Sequence, residues 1–374
     1  MQVCNQPTLA AASALFSQFA SALKGCRIVY GDLSPNAPEA SIERVFGAGA
    51  AVCSAFGTAG IRILDEESVR DMRSTGGATF GVTHSVSLDN QVVSYLEPYL
   101  QAGPASRLPK DFEEVLDFIA RPDVQIDPIP YLTENTPNVG DLHRAERIYA
   151  KIRAYEILRT MDVEWYKVHG AIRSTQSTSE INRVAQQTVA SMLRSFADDA
   201  HMGDLIGKYA FSYVSLLKMT TLQLQAPSAP GLQKLQLFIE FSDHVLGAIS
   251  PRDILLAAAY FEQKALRERF FGKVQRKRKD IFGAVRGMAW DLWHVRWLEL
   301  AMTLEPEAGA RCLLPALLSF DRGLIEVASL CKLKAVAIVG EGVAPLSFFD
   351  VEHLINAVGE RANLERLYSP ASML

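Results

Sequence analysis

Apolar and polar positions change period repeatedly along the chain, and each change predicts a change of element. Residues 8–24 carry apolar side chains at helical spacing, and the β-branched run CRIVY (26–30) follows as a short strand. A turn cluster with Gly31, Pro35 and Pro38 leads to a second stretch of helical spacing over residues 39–56. The run IRIL (61–64) then predicts another strand. From residue 83 an apolar strand end at 86–88 runs into Asp89, Asn90 and a helical pattern with Val92, Val93, Tyr95 and Leu96. Residues 112–119 predict an amphipathic helix, residues 124–130 a strand ending in prolines, and residues 131–135 the start of the next element.

Residues 142–225 are predominantly helical in pattern. Leu142, Ala145, Tyr149, Ile152 and Tyr155 recur at three and four, while Arg144, Arg147, Lys151 and Arg153 fill the other faces. Pro227, Pro230 and Gly231 break the chain, and further helices run to about residue 302 with an interruption at Ser250-Pro251. A strand at 313–320, a turn at 321–323, a helix at 324–333 and a strand at 335–339 follow. Strand, helix and strand with short links is the signature of a parallel sheet. The predicted fold is therefore α/β, one parallel sheet flanked by helices with a long helical insertion and an N-terminal α/β extension. Its parts are the extension at 1–80, the core at 81–140 and 281–374, and the insertion at 141–280.

Composition narrows the class. With 49% apolar and 21% charged residues, the 374-residue chain can bury a sizeable core. A net charge of −4 gives no global attraction to nucleic acid, so any basic site must be local. Cys4, Cys26, Cys53, Cys312 and Cys331 are scattered, with neither a disulfide framework nor zinc-ligand spacing; reduced thiols in a cytoplasm are the expectation. The alanine-rich stretch near the start lacks a preceding basic residue and is interrupted by Ser13, Ser17, Gln18 and Ser21, unlike a signal peptide. No window supplies the roughly 20 consecutive apolar residues of a membrane span. Assembly into a homo-oligomer is left open.

The chemistry-bearing candidates are acids. Asp89 and Asp321 each follow a predicted strand, the place where open parallel sheets form their sites. Either aspartate alone also suits a helix N-cap. The run SLDNQVVS (87–94) resembles the opening strand and helix of PIN-domain-like nucleases, whose first acid follows the first strand. IDPIPYLTE (126–134) is similar to their second strand and the helix bearing the family glutamate, matched by Glu134. AWDLWH (289–294) resembles the segment of the third acid, matched by Asp291, and LLSFDRGL (317–324) that of the last, matched by Asp321. The resemblance covers about 83–135 and 285–340, and leaves the first 80 residues and most of the helical block outside it. Because the stretch from Glu134 to Asp291 exceeds what a minimal PIN core needs, Glu262 stands as the alternative third acid.

The resemblance implies a PIN-like fold, Mg²⁺ or Mn²⁺ held by Asp89, Glu134, Asp291 and Asp321, and phosphodiester hydrolysis, of RNA rather than DNA. Gathered carboxylates repel and raise one another's pKa unless a cation neutralises them, and hard oxygen ligands suit these ions. Asn90 and Ser319 are candidates to orient the carboxylates. For holding a strand, the basic run around Lys273, Arg276, Lys277, Arg278 and Lys279, interleaved with Phe270, Phe271 and Phe282, offers phosphate and base contacts. Its bland alternative is a solvated face whose phenylalanines enter the core. Trp290, Trp293 and Trp297 predict packing, and His294 a structural histidine. Gly340-Glu-Gly342 lacks the third glycine of a dinucleotide loop; Asp65 and Asp350 suit further caps. Two rivals remain: a non-catalytic scaffold that binds protein or nucleic acid, and an α/β enzyme placing a small phosphate near Gly340.

Overall fold

The strand Ala310–Ser319 is apolar on both sides, with every side chain from Cys312 to Ser319 buried. Such a strand needs cover on both faces and partners on both edges. The computed structural model describes residues 2–4, 6, 8–32, 41–57, 60–76, 78, 80–102, 108–275, 279–330, 332–340 and 345–349. Within them the strands are β1 (Cys26–Asp32), β2 (Arg44–Val45), β3 (Ala51–Ser54), β4 (Gly60–Leu64), β5 (Gly81–Leu88), β6 (Gln125–Asp127), β7 (Ala310–Ser319), β8 (Leu333–Val339) and β9 (Leu346–Phe349). One sheet has the order β2-β3-β7-β5-β6, with β5 parallel to both β6 and β7 and β3 antiparallel to β7. The other, β4-β1-β8-β9, is antiparallel throughout.

The fold is α/β as predicted, but the single parallel sheet is corrected to two sheets. β7, helix α14 (Arg322–Leu330) and β8 follow one another without forming a βαβ unit. Both edges of β7 are taken, one by β5 and the other by β3, where Ala51 faces Ser319. β8 instead pairs with β1, Cys26 opposite Val339. A second correction concerns residues 39–56, whose described part is a β2–β3 hairpin and not a helix. Ala51, Val52 and Cys53 are buried in succession, a short run whose spacing does not separate strand from helix. Gly49 makes the turn at φ +107°, where L side chains are strained, and the Asp111 carboxylate accepts the Ala48 and Ala50 N–H groups at 3.2 and 2.8 Å.

The helices before the block are α1 (Leu9–Gln18), α2 (Glu66–Thr75), α3 (Asn90–Ala102), α4 (Phe112–Ile119) and α5 (Ile129–Asn135). α1 is shorter than expected, starting at a Thr8 cap whose hydroxyl accepts the Ala11 N–H. α6 (Leu142–Arg159), α7 (Val163–His169), α8 (Thr178–Ala197), α9 (Asp199–Gln225), α10 (Gly231–Phe241), α11 (Pro251–Glu262), α12 (Lys264–Arg269) and α13 (Ile281–Ala301) make the helical block. α11 begins where Ser250-Pro251 predicts a break, with Ser250 as cap and proline at the first position, where no N–H is missed. None of the described helices is long and apolar enough to cross a membrane.

α13 is the bridge between block and sheet. Val285, Met288, Ala289, Leu292, Val295 and Leu298 are all buried, and the helix packs on both α9 and β7. Its tryptophans pack as expected: Trp293 and Trp297 stack at 5.8 Å, and the Trp297 indole N–H donates to the Ser87 hydroxyl on β5 at 3.2 Å. That lock fixes α13 over the carboxyl ends of β5 and β7.

Candidate acidic centre

β5 and β7 run parallel with Leu88 beside Leu318, so the residues just past each strand share one edge. Asp89 follows β5 directly and is only 3% exposed. Its Oδ1 accepts the Val92 N–H at 2.7 Å, capping α3, while its Oδ2 accepts the Ser319 hydroxyl. Ser319 Oγ in turn accepts the Asp321 N–H at 2.9 Å. Asp321 Oδ1 accepts the Gly323 and Leu324 N–H groups at 2.7 and 3.2 Å, capping α14, and its Oδ2 receives Lys273 Nζ at 3.0 Å. Each aspartate thus uses one oxygen as a cap and turns the other toward the space between the two strand ends. Capping and clustering are compatible because a carboxylate has two oxygens.

Glu134 on α5 and Asp291 in the middle of α13 close the arrangement. Lys273 Nζ lies 3.6 Å from Asp291 Oδ2, and His294 Nε2 lies 3.6 Å from Glu134 Oε2. Ser319 orients the Asp89 carboxylate through its hydroxyl, and the Asn90 side chain lies near enough to Glu134 to favour its ionised form. The four acids feel one another: Asp89 interacts with Asp321, Asp291 and Glu134, and Asp291 with Asp321 and Glu134.

Their protonation shows the strain. Burial, and then the Asp321 charge, push Asp89 up to about 6 against the pull of its hydrogen bonds. Burial and the charges of Asp321 and Asp89 push Asp291 up to about 7, with Lys273 pulling the other way. Burial, Asp291 and Asp89 push Glu134 up to about 8. Asp321 differs: burial raises it, but Lys273 and the capping N–H groups outweigh burial and hold it below the ordinary carboxylate range. For Lys273 burial acts downward, yet Asp291 and Asp321 raise it overall. Burial drives His294 down to about 4, so its ring is neutral near neutral pH.

The donor chemistry fits a hard divalent cation, with several carboxylates, hydrogen-bonded supports and a buried setting. Among the described residues, no three His, Cys, Asp or Glu side chains surround one point closely enough to hold a metal ion. The Lys273 ammonium stands between Asp291 and Asp321 instead, and a cation entering there must take its place.

Lys273, expected as a contact to a nucleic-acid strand, instead makes its ion pairs in this structure with Asp291 and Asp321, its side chain still 42% exposed. The 3₁₀ turn Phe271–Lys273 carries it inward because Phe270 and Phe271 are core residues. Gly323 permits that approach, since a Cβ there would meet the Phe270 backbone at 2.9 Å. Lys279 and Phe282 are exposed, and Arg276, Lys277 and Arg278 lie outside the described residues. Glu262, the alternative third acid, is exposed at the end of α11 beside Gly231, whereas Asp291 lies within electrostatic reach of Asp89 and Asp321. Asp65 caps α2 through the Ser68 N–H at 2.7 Å; Cys331, Glu341, Gly342, Asp350 and His353 lie outside the described residues. Lys151 was missed: on α6 it donates to Ser94 Oγ at 2.8 Å and lies within electrostatic reach of Glu134. Its place on the basic face of α6 was the available signal. No protein-family model, curated protein or solved structure matches this chain.

Proposed function

We propose that the chain is a divalent-cation-dependent phosphodiesterase with a PIN-like core, acting on RNA. The observation that carries the proposal is the charge imbalance at the strand ends, where Asp89, Glu134, Asp291 and Asp321 lie within electrostatic reach of one another and Lys273 pairs with only two of them, Asp291 and Asp321. A structural cluster would gain little from so many mutually repelling acids, Asp89 buried and the other three half-buried. Asp321 and Asp291 would hold Mg²⁺ or Mn²⁺ most directly, with Asp89 and Glu134 beside them. When bound, such an ion supplies Lewis acidity and lowers the pKa of water. The chain's own groups do the rest. Ser319 keeps the Asp89 carboxylate oriented, and Asn90 favours the ionised form of Glu134. Glu134, whose carboxyl is raised by burial and by Asp291 and Asp89 in the metal-free protein, would be placed beside His294 to exchange a proton with a reacting group. Lys273, released from Asp321, is within reach of a phosphate oxygen, which restores the nucleic-acid role expected of it.

The test is Mn²⁺-dependent cleavage of single-stranded RNA by Asp89→Asn and Asp321→Asn. Asparagine caps helices as well as aspartate does, so the fold should persist. Cleavage should fall more than about 100-fold, beyond the usual loss of a group that only supports a metal ligand. Full activity in both variants removes the assignment. The scaffold reading has one observation in its favour, that both aspartates cap helices. Under it, the same two variants behave as the parent and Mn²⁺ is not bound.

A further inference from the structure

A cavity of about 420 Å³ opens where α9, α11, α13 and β9 meet, and its walls include the rings of Phe211, Trp293 and Phe349. Four charged side chains line it: Lys208, Arg252, Arg296 and Glu299. Glu299 is fully engaged, one oxygen paired with Arg252 and the other accepting the Ser347 hydroxyl. Arg252 also lies 5.7 Å over the Phe349 ring, which makes it part of the wall. Arg296 pairs with Asp253 at 2.7 Å and lies 5.0 Å over Phe211. Among the described residues Lys208 pairs only with Asp204, and both are half-exposed or more, at 50% and 65%. Solvent screens such a pair to near nothing, so Lys208 can change partners at little cost. The lining is therefore aromatic, with Glu299 neutralised, Arg296 held in place by Asp253 and Lys208 the cation most readily turned to a ligand.

Volumes of roughly 300–1,000 Å³ suit small organic ligands. Aromatic walls favour a planar ring, and a guanidinium beside an ammonium favours a phosphate or carboxylate. We propose that this cavity binds a small aromatic anion of nucleoside-monophosphate size, its ring against Phe211 and Trp293 and its anionic group on Lys208 and Arg296. The proposal stands whether or not the acidic centre is a nuclease site, because the two share none of these side chains.

Calorimetric titration of the full chain with AMP, GMP, CMP and UMP tests it, with adenosine and inorganic phosphate as ring-only and anion-only probes. Saturable binding of at least one mononucleotide is expected, at least about tenfold tighter than adenosine or phosphate. Phe211→Ala and Lys208→Gln should each weaken it about tenfold, and Asp321→Asn should leave it unchanged. Lys208 is a surface residue, so its variant keeps the test valid if Phe211→Ala misfolds. The proposal is overturned if no mononucleotide saturates, if adenosine or phosphate binds as tightly, if Lys208→Gln changes nothing, or if Asp321→Asn abolishes binding.

Discussion

Asp291 and Glu299 lie about two turns apart on α13, and their side chains are comparably exposed, at 21% and 18%. Their surroundings differ in kind. Around Glu299 every buried carboxylate has its own guanidinium, Arg252 for Glu299 and Arg296 for Asp253. Around Asp291, Lys273 stands between two carboxylates while Asp89 and Glu134 crowd the same space. The first arrangement resolves its charge within the fold. The second leaves a demand for positive charge that a ligand can meet. Two half-buried acids on one helix thus differ in how fully the fold balances their charge.

The largest effect expected from breaking this contrast is on the balanced side. Arg252→Met leaves Glu299 buried without its cation, and losing one partner of a buried pair costs about 3–5 kcal/mol. Chemical denaturation should show that loss, with Mn²⁺ binding per folded molecule unaltered. A variant as stable as the parent would mean that the pairing is incidental.

The unbalanced side should respond to pH in the metal-free protein. Asp89, Asp291 and Glu134 are raised from ordinary values of 3.8, 3.8 and 4.5 to about 6, 7 and 8. A raised carboxyl stabilises the fold in its protonated form, so its contribution is complete below the ordinary value and is lost as pH climbs through the raised one. Asp321, being lowered, acts oppositely and only in more acidic solution. The melting temperature should therefore fall between pH 5 and pH 8, and Glu134→Gln should flatten the upper part of that fall. A parent profile that rises, or a slope unchanged in Glu134→Gln, contradicts the reading. The smallest effect belongs to Lys273→Met, which removes the competing ammonium. Mn²⁺ should bind about tenfold tighter, or ~1.4 kcal/mol; weaker binding would make Lys273 a supporting group and not a competitor.

Much of the acidic centre was legible in the sequence because its geometry is local. An apolar strand end, an aspartate and a helical run place Asp89 and Asp321 at strand ends whatever the rest of the chain does. Lys273 was not legible in the same way. Its direction depends on Phe270 and Phe271 entering the core and on Gly323 admitting the Phe270 backbone, contacts made across about fifty residues of sequence. The split into two sheets was hidden for a related reason. β8 has the same apolar run whether it joins β7 or β1, and only the occupied edges of β7 decide. The cavity combines side chains from Lys208 to Phe349, a juxtaposition that no local pattern announces.

The central claim, that the acids around Asp291 form a site for a divalent cation, is met most directly by calorimetric titration of Mn²⁺ into the parent protein and Asp321→Asn at neutral pH. Saturable binding by the parent, weakened at least about tenfold in the variant, is the expected result. Absence of binding by the parent, or equal affinity in both proteins, would contradict it.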